Sequence, residues 1–79
     1  MQKKFEIIVD ISPEYCILDA ELNYNESELF PNVVTGKFDK NSLVHKEATK
    51  YAIKYCKENN LNFNSILKIY PLYEYETVV

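Results

Sequence analysis

An α+β fold is the architecture this sequence predicts: a mostly antiparallel sheet of three to four strands, in the order β-β-β-α-β, with one helix packed on one face. Three observations predict it. The stretch from Asn41 to Asn60 has a helical hydrophobic period, the runs Lys3 to Ile11 and Tyr15 to Tyr24 alternate with the period of strands, and a further strand-like run, Ile66 to Tyr70, follows the helix. At 79 residues the chain reads as a single small domain over 1–79. A chain of this size buries roughly 60% of the surface it exposes when unfolded, so its core is small.

In the first alternating run, Phe5, Ile7, Val9 and Ile11 share one side, and Lys4, Glu6, Ile8 and Asp10 share the other. Ser12-Pro13-Glu14-Tyr15 reads as a turn, with proline at the position where its fixed φ suits a type I turn. In the second run, Cys16, Leu18, Ala20, Leu22 and Tyr24 face the core, against Tyr15, Ile17, Asp19, Glu21 and Asn23. A slip of one residue would turn Asp19 and Glu21 inward, so the parity of the pairing is fixed. The register expected sets Ile11 opposite Cys16, Val9 opposite Leu18, Ile7 opposite Ala20 and Phe5 opposite Leu22, with Glu6 against Glu21 on the outer face.

Asn25 to Asn32 reads as an acidic loop carrying Glu26, Glu28, Leu29 and Phe30, and Val33 to Phe38 as a short third strand. Gly36 there marks a bulge or a close backbone approach. In the helix, Val44, Ala48, Tyr51, Ala52 and Tyr55 form one stripe with Cys56 at its edge, and the small alanines allow close contact with a sheet. Asp39, Asn41 and Ser42 are candidate N-caps, and Asn59 and Asn60 candidate terminators, because asparagine tolerates the left-handed conformation. Pro71 ends the ladder of the next strand or places it at an edge, and Leu72 to Val79 alternates again.

Composition excludes several function classes. The formal charge is −3, every basic residue is lysine, and a single glycine precludes a glycine-rich phosphate cradle. Without arginine, bidentate recognition of phosphate or guanine loses its usual side chain. Cys16 and Cys56 have no zinc-ligand spacing and read as small buried hydrophobes in a reducing cytoplasm, so no metal and no cofactor is expected. No apolar run approaches the ~20 residues of a membrane span, and the N-terminal patch reads as a strand rather than a signal peptide. His45, the one histidine, has Ser42 nearby, but a serine there reads as a cap and no orienting group completes a catalytic set, so the chain is expected not to be an enzyme. Thr77-Val78-Val79 resembles a PDZ-domain ligand, which a tail paired into the sheet would not present.

Two surfaces remain. A helix covers one face of a sheet, so the other is left with Tyr15, Ile17, Glu21 and, from the last alternating run, Tyr73, Glu74, Tyr75 and Glu76, beside the loop residues Glu26, Glu28 and Phe30. Tyrosine-rich apolar patches rimmed by charge mark protein interfaces. The expected function is therefore a non-enzymatic protein-binding module, an adaptor or inhibitor, taking a basic protein surface or a second copy of itself. The alternative is nucleic-acid binding through Lys46, Lys50, Lys54 and Lys57, which line the solvent side of the helix. The layout is similar to that of many small phage and mobile-element proteins, a likeness of architecture.

Overall fold

The computed structural model describes residues 1–72, except the side chain of Pro31. The elements are β1 (Gln2–Asp10), β2 (Tyr15–Asn23), α1 (Glu26–Leu29), a 3-10 turn (Phe30–Asn32), α2 (Leu43–Glu58) and β3 (Ser65–Pro71). The sheet is three-stranded with the order β2-β1-β3, and both pairings are antiparallel. The α+β class is thus observed, with the element order β-β-α-α-β.

The alternation of the first two strands is realised as expected: Phe5, Ile7 and Val9 are buried together with Leu18, Ala20 and Leu22. The register differs by two residues. Phe5 pairs with Ala20, Ile7 with Leu18 and Val9 with Cys16. The reason lies in the turn. The Ile11 N–H donates to the Glu14 carbonyl at 3.0 Å, which leaves Ser12-Pro13 as a two-residue loop. Asp10 Oδ1 accepts from the Ser12 N–H at 2.8 Å and from its hydroxyl at 2.9 Å, which holds the loop closed. A shift of two preserves the facing of every side chain, so hydrophobic patterning alone does not distinguish the two registers. Glu6 accordingly lies opposite Asp19, and Glu21 opposite Lys4.

The expected third strand is absent. Residues 33–38 turn and then run irregularly, and Gly36 adopts φ +69°. This segment still delivers Phe38 to the core, where its ring meets Phe5 edge-on at 6.4 Å. The acidic loop is likewise partly helical, and Leu29 of α1 is buried.

Helix α2 runs from the Ser42 cap, whose hydroxyl accepts from the His45 N–H, to Asn59, and Asn60 takes the left-handed φ of 56° that ends it. Its buried line is Val44, Ala48, Ala52 and Cys56. Cys56 is fully buried as a member of this line rather than at its edge, and Tyr51 is 40% exposed. Spacings of four residues drift slowly around the helix, and the sheet meets it along that drift. In β3, Val9 pairs with Ile66 and Ile8 with Lys68, so Leu67 is bulged out. The bulge lets both Ile66 and Ile69 pack on the core while Leu67 is exposed.

Candidate functional site

The sheet face opposite α2 carries the candidate site. The register assembles it in rows across the strands: Tyr15, Asp10 and Ser65; Ile17, Ile8 and Lys68; Asp19, Glu6 and Tyr70; then Glu21 and Lys4. Ile8, Tyr15, Ile17, Leu67 and Tyr70 line a shallow hollow of about 580 Å³, with Lys37 and Lys68 completing its wall. Tyr15 is 64% exposed, Ile17 54% and Leu67 46%, so among the described residues nothing seals this face. Such a patch, apolar and bordered by charge, is suited to contact with another macromolecule.

Three expected site residues, Tyr15, Ile17 and Glu21, lie on this face. Glu26, Glu28 and Phe30 do not line the hollow. Phe30 is 83% exposed on the connection between β2 and α2. Glu28 is half-buried against the N-terminus of α2, where its Oε2 accepts from the Leu43 N–H at 3.1 Å, so this carboxylate serves as a second cap. Tyr73, Glu74, Tyr75 and Glu76 lie outside the described residues, as does the Thr77-Val78-Val79 motif. Sequence reading counted Tyr70 among the tyrosines of this surface but passed over Leu67, because the bulge decides which way residues 66–70 face. It also passed over Lys37, which belongs to the turn that replaces the expected strand.

The charges on the face are unevenly distributed. Asp19 and Glu21 of β2 lie beside Glu6 and Lys4 of β1, while Lys68 and Lys37 stand toward β3. Asp10 is engaged internally: its Oδ2 accepts from Asn64 Nδ2 at 2.8 Å and its carbonyl from the Asn64 N–H at 2.9 Å. The Asn64 bond, then those of Ser12, hold its carboxyl below the ordinary 3.8.

The two edges of the sheet are unlike. In an antiparallel pair, alternate residues exchange both backbone hydrogen bonds. The Tyr24 N–H donates to Met1 and the Ile11 N–H to Glu14, which places the even-numbered residues of β2 toward β1. Tyr15, Ile17, Asp19, Glu21 and Asn23 therefore turn their N–H and C=O groups outward, and among the described residues no group bonds them. On β3 the Ile69 N–H donates to the Gly36 carbonyl at 2.8 Å, and Pro71 has no N–H.

The second candidate surface is also present. Lys46, Lys50, Lys54 and Lys57 are all exposed on α2. Lys40, Lys46 and Lys50, with His45 and Thr49, line a concavity of about 580 Å³. His45 is half-buried, and burial, reinforced by Lys40 against the opposing Asp39, pushes its pKa below the ordinary 6.5. Its Nδ1 is 3.4 Å from Thr49 Oγ1, a hydroxyl that donates to the His45 carbonyl at 2.8 Å. The Ser42 hydroxyl is occupied as a cap. Cys16 and Cys56 are free thiols, and burial, with Cys56 nearby, pushes the Cys16 thiol up from 9.0. Among the described residues, no three His, Cys, Asp or Glu side chains gather as a metal site would require, and no helix is long and apolar enough to cross a membrane. Compared with known protein families, curated proteins and solved structures, the chain matches none of them.

Proposed function

We propose that the chain is a non-enzymatic protein-binding module, an adaptor or inhibitor acting in the cytoplasm, and that it binds through the sheet face opposite α2. One observation carries this reading: Ile17 is 54% exposed beside Tyr15 and Leu67, on a hollow of about 580 Å³. Water at such a patch is released when a partner covers it, which drives association without any directional bond. Tyrosine adds contact area at small entropic cost. The acids at the β2 end select a basic protein surface, and a second copy of the chain is the other candidate partner.

The test compares partner capture by the wild-type chain with capture by Ile17→Lys and by Tyr15→Ala, alongside the mass of each in solution. Both positions are exposed, so circular dichroism should be unchanged. Loss of the captured species in Ile17→Lys supports the reading, and equal capture by all three chains rejects it.

A second reading, nucleic-acid binding, is favoured by the concavity that brings Lys40 alongside Lys46 and Lys50. It requires retardation of DNA or RNA that weakens steeply with salt. Retention of that retardation after Lys46, Lys50, Lys54 and Lys57 become glutamate would reject it.

A further inference from the structure

Resting on the protein-binding reading above, we infer that the partner docks along the open edge of β2 as an added strand, and that this strand is an extended basic segment. It carries lysine or arginine opposite Asp19 and Glu21, and apolar side chains opposite Tyr15 and Ile17.

The edge itself is the first argument. Five consecutive alternate residues of β2, from Tyr15 to Asn23, present backbone donors and acceptors with no partner among the described residues. A long open edge is a template for strand addition. At the opposite edge of the sheet that template is interrupted, since Gly36 takes the Ile69 donor and Pro71 has none. Strand β2 has neither proline nor a bulge in its pairing with β1, and its outward side chains are Tyr15, Ile17, Asp19 and Glu21, with no lysine among them.

Charge selects the occupant. Asp19 lies opposite Glu6, a like-charge pair across the strands, and the third member of that row is Tyr70 rather than a lysine. A cation supplied from the far side of Asp19 would stand next to it at cross-strand distance and relieve that repulsion. Glu21 has Lys4 on its β1 side and an open position on the other. Toward the turn, Ile17 and Tyr15 offer apolar neighbours instead. A second copy of β2 fits less well. Antiparallel pairing centred on the strand would set Asp19 against Asp19, between two chains each of net charge −3.

The probe is a synthetic N-acetylated peptide, Lys-Thr-Lys-Thr-Val-Thr-Tyr, which read antiparallel to β2 places its lysines against Glu21 and Asp19, its valine against Ile17 and its tyrosine against Tyr15. Binding is followed by amide chemical shifts and hydrogen exchange of the whole chain. The expected result is protection of the Ile17, Asp19 and Glu21 amides by at least about tenfold, with little change at Leu18, Ala20 and Leu22, whose amides already bond β1. N-methylation of the two peptide lysine amides should abolish binding. Asp19→Lys with Glu21→Lys should weaken it about tenfold or more and favour the peptide with glutamate in place of lysine. Peptide binding that shifts Tyr15, Leu67 and Tyr70 without protecting the outward amides overturns the edge inference while leaving the protein-binding reading standing. Absence of binding overturns it too, as does a dimer in solution whose outward β2 amides are protected without peptide. The protein-binding reading falls separately, by equal partner capture in Ile17→Lys.

Discussion

The Ile69 amide donates to the Gly36 carbonyl at 2.8 Å, and through that bond a turn outside the sheet occupies one of its edges. The aromatic ring of Tyr70 closes over the same glycine: a Cβ at position 36 would meet two of its ring carbons at 2.8 Å. Gly36 also holds φ +69°, a conformation costly for any residue with a side chain. Gly36→Ala should therefore destabilise the fold by about 1–3 kcal/mol. Adding Tyr70→Leu should recover the steric part and leave the backbone part. Urea unfolding of the two variants separates them, and a Gly36→Ala chain as stable as wild type would contradict this account.

The start of α2 depends on two acceptors from different parts of the chain. Ser42 Oγ takes the His45 N–H at 3.1 Å, and Glu28 Oε2 takes the Leu43 N–H at 3.1 Å. Ser42→Ala should cost about 1 kcal/mol, and Ser42→Ala with Glu28→Ala about 2 kcal/mol. Glu28→Gln retains an acceptor and should fall between wild type and Glu28→Ala. Thermal unfolding at fixed pH checks the series.

The contact between α2 and the sheet is set by Ala48 and Ala52, both fully buried. Ala52→Leu inserts volume where none is free and should cost about 1–3 kcal/mol. Ile7→Ala, which opens a cavity on the opposite side of the same contact, should cost about 2–5 kcal/mol. If both substitutions proved neutral in denaturant titrations, the core would be more loosely packed than described.

Two groups make stability fall on the acid side of neutrality, in separate windows. The pKa of His45 is pushed below 6.5 by burial and Lys40, so the unfolded chain takes up its proton first. Stability is fully present above 6.5 and is lost as pH falls from there through the folded value. Asp10, held below 3.8 by Asn64 and Ser12, contributes stability above 3.8 that is lost as pH falls through its own folded value. His45→Gln should flatten the upper window alone, and Asp10→Asn the lower one alone. Midpoints of urea unfolding measured from neutral pH downward test both signs.

Much of the fold was legible in the residues themselves. The inward set of β1 and β2 followed from strict alternation, and helical spacing picked out Val44, Ala48 and Ala52 of α2 but also Tyr51, which is exposed; Ser42 and Asn60 were among the several caps and terminators that local chemistry offered. Gly36 was recognisable as a point of close approach because a lone glycine among branched residues has few other uses. Legibility stopped wherever two solutions bury the same side chains. The register of β1 on β2 is one such place, and the facing of Leu67, which depends on a bulge, is another. Val33 to Phe38 carries strand-forming residues, yet its glycine turns the backbone and leaves it a single bond to β3 in place of a ladder. Of the expected site residues, Tyr15, Ile17 and Glu21 share one sheet face, with Tyr15 and Ile17 in its hollow, whereas Glu28 was drawn into capping by a helix end fifteen residues further on.

The sequence by itself determined which side of β1 and β2, and in outline which side of the helix, is buried, because that choice follows from local periodicity and the exclusion of apolar groups from water. Only the tertiary structure decided how the strands align, and which edge of the sheet is partly covered and which is open among the described residues. Backbone hydrogen bonds and turn geometry make those choices, and they act between segments that patterning cannot relate.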